Sequence, residues 1–238
     1  MPNTAKTPLL SIVIPARNED DQGLTQLRYY LETYPYLKDL EVIIVDDGSQ
    51  YPLRSATIRH AQPVGYGAAL KSGIRKARGQ LILTMDGDGQ HNHVDAFRLV
   101  DFFLYFSHLD MAIGDRRLKE PSLLRLWGRK FLNWTASCFA SRWVNDLNSG
   151  MRVFKRQIAL GYEPILCDGF SYTTTLTLAM IADGYQVDWL PIKVHPRTDG
   201  QSHVKVIADG WITLKQILWV GMALRTRRLR AAWRQIVG

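Results

Sequence analysis

Apolar residues fall along this chain in two kinds of pattern. One is a short, nearly unbroken run. Leu9 to Ile14 stops at Pro15, Glu41 to Asp46 encloses Val-Ile-Ile-Val, Gln80 to Met85 stops ahead of acidic residues, and Asp110 to Gly114 closes on glycine. Runs of this length between turn residues predict strands buried on both faces. The other pattern is longer and periodic. Asp21 to Tyr34, Gly67 to Ala77 and Val94 to Phe106 predict helices. Strand and helix alternate, so the expected class is α/β, with a mostly parallel central sheet covered on both sides. Ligands of such sheets collect at the carboxyl ends of the strands. Three polar segments sit at those ends: Pro15 to Glu19, Asp46 to Ser49 and Asp86 to Gln90.

After Pro121 the pattern changes. Leu124, Trp127, Phe131, Trp134 and Cys138 recur every three or four residues, one stripe of a helix, and Arg125, Arg129 and Asn133 make a neighbouring row. Residues from Val204 onward read as helix and end in Arg225, Arg227, Arg228, Arg230 and Arg234. The expected organisation is a domain over residues 1–205 and an amphipathic, arginine-rich helical segment over 206–238. Ile217 to Leu224 gives only eight residues of apolar run, well short of the roughly 18 that span a bilayer. Trp127, Phe131 and Trp134 beside Arg125, Arg129 and Lys130 instead suit a helix lying at the headgroup level, as do Trp211, Leu214, Leu218 and Met222 with the arginines after them; the plain alternative is that both stripes pack on the core or that the last helix makes a dimer contact.

Composition narrows this further. With 238 residues and 46% hydrophobic content the chain suits one domain with ample core. Its formal net charge of +8 favours anionic partners such as nucleotides, phosphates or acidic headgroups. No nucleic-acid recognition signature is present, so nucleic acid is not an expected partner. Cys138 and Cys167 make no disulfide framework, and Met1 to Pro8 has no apolar leader core, so the expected place is the cytoplasm, peripherally on a membrane.

Asp86-Gly-Asp88-Gly-Gln90 follows a predicted strand. Two carboxylates at spacing two, on a turn that glycine permits, can converge on a hard cation such as Mg2+ or Mn2+; the plain alternative is a solvated Asp-Gly turn. His91 and His93 have the spacing of polar loop residues and lack further zinc ligands.

Four segments in order then resemble family 2 glycosyltransferases: Ser11-Ile-Val-Ile-Pro15-Ala-Arg17-Asn-Glu19, Val45-Asp46-Asp47-Gly48-Ser49, Gly65-Tyr-Gly67-Ala-Ala-Leu-Lys71-Ser-Gly73 and Met85-Asp86-Gly-Asp88-Gly-Gln90-His91. The likeness, over about residues 9 to 205, is greatest to the branch containing dolichol-phosphate mannose synthase and polyprenyl-phosphate glycosyltransferases. It implies a GT-A fold, a Rossmann-like nucleotide-binding domain, and a GDP- or UDP-sugar donor. It implies that Pro15, Arg17, Glu19 and Asp46 or Asp47 line the nucleoside pocket, that Asp88 and Gln90 hold the metal, and that Asp86 reaches the metal or the donor sugar. Arg17 stands where the family often has an aromatic residue.

The second half extends the resemblance. Ile113-Gly114-Asp115-Arg116 is similar to the family's Gly-Ser-Arg strand end, and Arg125 matches an arginine that approaches the acceptor phosphate. Asp146-Leu-Asn-Ser149-Gly150-Met-Arg152 resembles Asp-x-x-Ser-Gly-Phe-Arg. Arg197-Thr-Asp-Gly200-Gln-Ser202-His203 resembles Arg-x-x-Gly-x-Ser-Lys, with His203 in the lysine's place and Lys205 two residues on; either can complete a pyrophosphate clamp. Gly169 to Thr174 lacks the family's frequent Glu. A phosphate acceptor is already anionic and needs cations such as Arg116, Arg125 and Arg129, while a hydroxyl acceptor needs a base. Asp146 is the candidate base, unless it belongs to an Asn/Ser-rich turn or pairs with Arg152. The expectation is therefore an inverting transfer to a polyprenyl phosphate at the cytoplasmic membrane face, with a sugar or protein hydroxyl as the alternative acceptor and room for a separate membrane partner protein.

Overall fold

The structure, a computed structural model, describes residues 7–35, 39–116, 137, 144–194, 214–216, 218–220 and 222. The chain forms β1 (Leu10–Ala16), α1 (Asp21–Glu32), β2 (Leu40–Asp46), β3 (Ile58–Arg59), α2 (Tyr66–Lys76), β4 (Leu81–Thr84), α3 (His93–Tyr105) and β5 (Met111–Asp115). It continues through β6 (Arg152–Lys155), α4 (Arg156–Tyr162), a 3-10 turn at Glu163–Ile165, α5 (Tyr172–Ala182) and β7 (Val187–Pro191).

The strands make one seven-stranded sheet in the order β3-β2-β1-β4-β6-β5-β7. Strand β1 pairs in parallel with β2 on one side and β4 on the other. The chain therefore steps away from β1 in one direction and returns on its other side, which opens a crevice at the carboxyl end of β1. Strand β6 alone runs against its neighbours, antiparallel to both β4 and β5. Its first residue, Arg152, lies beside Thr84 and Ile113. Antiparallel entry thus delivers residues 146–152 to the same sheet edge at which β1, β4 and β5 end.

Both faces of the sheet are covered, as the unbroken apolar runs require. On β1, Leu10, Ile12 and Ile14 face a core completed by Leu24 and Leu31 of α1 and by Phe97 and Val100 of α3. Val13 faces the opposite core with Leu70 and Ile74 of α2, Ala159 of α4 and Leu176 of α5. Asp20 caps α1 by accepting from the Gln22 and Gly23 N–H groups, and Asn92 caps α3 through the Val94 N–H. Helix α5 is buried all round from Tyr172 to Ile181. Thr175 and Thr177 satisfy their hydroxyls inside the helix, on the Ser171 and Thr173 carbonyls. Among the later described residues, Val220 belongs to the α2, α4 and α5 core, while Leu218, Trp219 and Met222 are exposed.

Candidate active site

The loops after β1 and β2 are stitched together. Asn18, whose φ is 54°, donates its N–H to Ser49 Oγ at 2.8 Å, and its Oδ1 accepts from the Gln50 N–H at 2.9 Å. Asp46 is fully buried and accepts from the Ser49 and Leu53 N–H groups and from Arg59 Nη1 at 2.6 Å. Asp47 accepts from the Val64 and Gly65 N–H groups at 2.9 and 2.8 Å, and its Oδ1 lies 2.8 Å from His60 Nδ1. Burial pushes both carboxyls up, but these hydrogen bonds, joined at Asp46 by the Arg59 charge, more than offset it, and both sit below the usual carboxylate range. The pair expected to line the nucleoside pocket therefore holds loop backbone in this structure. Of their companions, Pro15 is buried, Glu19 half-buried and Arg17 exposed.

At the end of β4 the acidic turn is built from backbone contacts. Gly89 takes a φ of 73°, and Asp88 Oδ1 accepts from the Gln90 N–H at 3.1 Å. The Asp86 N–H donates to His91 Nδ1 at 3.0 Å, so the imidazole carries its proton on Nε2, which lies 3.9 Å from Asp86 Oδ2. His93 instead stacks on Tyr30, 5.1 Å between centroids, so the two histidines serve different neighbours. Asp86 Oδ1 accepts from the Tyr66 hydroxyl at 2.8 Å. Burial, then the Asp86 charge, raise the Tyr66 pKa well above its ordinary value and keep that hydroxyl a donor. Gly150 lies against the same carboxylate, and a Cβ there would collide with it. Thr84 fixes the approach by donating to the Gly150 carbonyl at 2.7 Å.

Asp146 does not pair with Arg152. Its partner is Arg116, whose Nε and Nη2 reach Oδ2 and Oδ1 at 2.7 and 2.9 Å in a two-pronged fork. Burial raises the Asp146 carboxyl, and the Arg116 hydrogen bonds and charge more than reverse this, so its pKa is lowered. Arg152 is 1% exposed and bonds only neutral oxygens: the Ser149, Thr173 and Leu147 carbonyls and the Thr177 hydroxyl. Burial without a carboxylate partner lowers its pKa to about 10. Arg152 thus ties the 147–149 turn to α5, and the Thr174 hydroxyl reinforces the tie through Asn148 Oδ1 at 2.6 Å.

Tyr66 is the residue that sequence reasoning missed. In Gly65-Tyr-Gly67 it reads as the head of a helix, and only the fold brings it to Asp86, 20 residues on. Among the described residues, no three His, Cys, Asp or Glu side chains gather as a metal site. Two carboxylates and an amide oxygen on one turn still suit Mg2+ or Mn2+, hard ions that take one or two protein carboxylates and fill their shells with water and substrate phosphates. Arg125, Arg197, His203 and Lys205 lie outside the described residues, as do Arg129 and the Trp127, Phe131 and Trp134 stripe.

Comparison with known proteins bears on the family and the fold. The sequence model of the family described as Glycosyl transferase family 2 matches residues 11–161. An uncharacterized protein of Methanocaldococcus jannaschii is 33% identical over 199 residues, which cover 76% of this chain and 79% of that one. Human dolichyl-phosphate beta-glucosyltransferase is 25% identical, over 96% of this chain and 78% of its own. The undecaprenyl-phosphate 4-deoxy-4-formamido-L-arabinose transferase of Pseudomonas fluorescens is 28% identical over 73% of this chain, and the match spans only 58% of the relative's length. In fold, glucosyl-3-phosphoglycerate synthase of Mycobacterium tuberculosis, solved with Mn2+, uridine diphosphate and phosphoglyceric acid, superposes with a TM-score of 0.71 over 90% of this chain and 78% of that one, at 14% identity. That likeness is one of fold alone, the GT-A fold.

Proposed function

This chain belongs to glycosyl transferase family 2, and from that premise we propose that it moves a sugar from a GDP- or UDP-sugar to a polyprenyl phosphate, dolichyl or undecaprenyl, at the cytoplasmic face of a membrane. The observation that carries the choice of acceptor is the fork between Arg116 and Asp146. A hydroxyl acceptor needs a base, and the carboxylate best suited by sequence to that role has both oxygens bound to a guanidinium and a lowered pKa. A phosphate monoester needs none, because near neutral pH it is already an anion. The names of the human and Pseudomonas relatives, both transferases to a polyprenyl phosphate, support the same choice.

In this reading the donor's nucleoside lies over Pro15 to Glu19, on loops that Asp46 and Asp47 brace. Asp86, Asp88 and Gln90 would hold Mg2+ or Mn2+, which neutralises charge growing on the leaving diphosphate. An oxygen of the acceptor phosphate attacks the anomeric carbon while the bond from that carbon to the diphosphate oxygen breaks, inverting the centre. The nucleoside diphosphate leaves with the electron pair, and no proton has to be removed from the nucleophile. Arg125 would steer the acceptor phosphate, Arg116 would contribute only as the cationic half of its pair with Asp146, and Arg197 with His203 or Lys205 would clamp the diphosphate.

The test is a transfer assay with undecaprenyl phosphate against UDP-glucose, UDP-galactose, UDP-N-acetylglucosamine, GDP-mannose and GDP-glucose, with Mn2+ and with excess chelator. The expected result is sugar on the lipid phosphate from at least one donor, abolished by chelator and by Asp88→Ala. Arg125→Ala should weaken use of subsaturating acceptor roughly ten- to a hundred-fold, as loss of one charge-assisted contact implies, with donor binding nearly unchanged. Full turnover in chelator would remove the metal from the reading. Transfer only to sugar or protein hydroxyls would replace the acceptor.

A further inference from the structure

The 166–170 loop is docked on the head of α2 by contacts that leave it no slack. Gly65 has a φ of 125°, and a Cβ there or on Gly67 would run into the Asp168 or Cys167 carbonyl. The Ala68 N–H donates to the Asp168 carbonyl at 3.1 Å, and Lys71 Nζ holds the Leu166 carbonyl at 2.6 Å and Asp168 Oδ1 at 2.7 Å. The end of this fixed loop is Phe170, which stacks on Tyr66 with centroids 5.7 Å apart and planes 17° apart. Tyr66 in turn donates to Asp86. Yet Phe170 is 58% exposed, so the loop presents an aromatic ring to solvent beside the carboxylate turn.

We infer that Phe170 and Tyr66 form the subsite for the hexose of the donor, with the ring of Phe170 under one face of the sugar and the Tyr66 oxygen at its rim. The inference rests on the glycosyltransferase reading above. A hexose has hydroxyls around its rim and C–H bonds on its faces, so it is matched by a flat apolar plate with hydrogen-bonding groups at the edge, the amphipathic character that aromatic side chains offer. The Tyr66 hydroxyl donates its hydrogen bond to Asp86 and keeps lone pairs that can accept from a sugar hydroxyl. The site adjoins the turn assigned to the cation and diphosphate, where the anomeric carbon has to be. A polyprenyl tail is a poorer occupant. It wants a broad apolar surface, whereas this ring is flanked in the sequence by Asp168, Gly169 and Ser171 and stacks on a tyrosine that is hydrogen-bonded to Asp86.

Calorimetry on the full chain with Mn2+ separates the sugar from the nucleotide. The probes are UDP-glucose, UDP-galactose, UDP-N-acetylglucosamine, GDP-mannose and GDP-glucose, each against UDP or GDP alone. Phe170→Ala should weaken the hexose donor that wild type uses by about tenfold and leave its nucleoside diphosphate within twofold, while Phe170→Trp retains donor affinity. Tyr66→Phe, which keeps the stack and loses the hydroxyl, should lower kcat more than it weakens binding. Equal affinity of Phe170→Ala and wild type for the donor overturns the inference and leaves the transferase reading standing. So does equal weakening of donor and diphosphate, since the ring would then serve the loop. So does a defect confined to undecaprenyl phosphate use, which would give the ring to the acceptor. Wild type that neither binds nor uses any of these donors defeats this inference and the transferase reading together.

Discussion

Arg152 shows how much one side chain organises near the site. Its guanidinium joins the Leu147 and Ser149 carbonyls of the 147–149 turn to the Thr173 carbonyl and Thr177 hydroxyl of α5. Truncation takes a donor from buried neutral acceptors, and Arg152→Ala should lower stability by about 1–3 kcal/mol for each acceptor left unpaired, read in urea melts. Asp146 predicts a pH effect of definite sign. Its folded pKa is depressed, as are those of Asp46 and Asp47. The stability these carboxylates contribute is complete above the unfolded carboxyl value of about 3.9 and is lost as pH falls through the depressed folded values. Asp146→Asn should therefore be less stable than wild type at pH 7 and show a shallower loss of stability below about pH 4. An unchanged acid profile would remove Asp146 from this account. The sequence made Asp146 legible as a functional carboxylate but pointed to Arg152, six residues on, as its partner. The fold prefers Arg116, 30 residues earlier, because β5 and β6 are neighbours. Tyr66 and Phe170 were illegible for a related reason: their meaning lies in a pairing across 104 positions, and neither residue type is a signal alone.

At the scale of elements, the strands and helices that read clearly are those with strong patterns. Strands β1, β2, β4 and β5 and helices α1 to α3 stand within about two residues of their expected bounds. Strand β6 did not announce itself, since Arg152 and Lys155 flank only two apolar residues, and its arginine is buried by contacts that a linear pattern does not carry. Helix α5 has no polar face to reveal its period, and four threonines within it are buried. Strand β3, two residues long, is below any sequence signal. The junction between α2 and the 166–170 loop yields a prediction at this scale. Gly65→Ala places a side chain at positive φ against a carbonyl and should cost about 1–3 kcal/mol of stability. Limited proteolysis should then cut the 166–170 loop faster than in wild type. Cleavage elsewhere with this loop protected would show that the glycine is not what docks it.

For the molecule as a whole, the charge of +8 pointed to anionic partners without placing the cations. The peripheral attachment expected from the sequence is a proposal, and we assign it to the C-terminal residues. Val220 is anchored in the core, while Leu218, Trp219 and Met222 turn outward. Among the described residues, no helix is long and apolar enough to cross a membrane. Exposed apolar side chains beside an arginine-rich segment match the interface of an anionic bilayer. Replacing Leu218 and Trp219 with Ser should weaken flotation with phosphatidylglycerol vesicles several-fold at low salt and leave donor binding intact; equal flotation of variant and wild type would assign this face to another occupant.

The reversed direction of β6 also bears on how the protein comes to exist. Both sheet partners of β5 follow it in the sequence, β6 from residue 152 and β7 from residue 187. During translation, the first four strands can pair as they emerge, whereas Met111 to Asp115 waits with both edges unsatisfied until distant parts of the message have been read. An apolar strand in that condition is a template for unwanted association. Over the same interval Asp86 and Arg116 are already made, while Asp146 and Arg152 are not. A prematurely terminated chain would carry the loops proposed to receive the nucleotide and lack the turn that pairs with Arg116, so chaperone shielding over this interval should raise the yield of active protein and slow elongation should lower it.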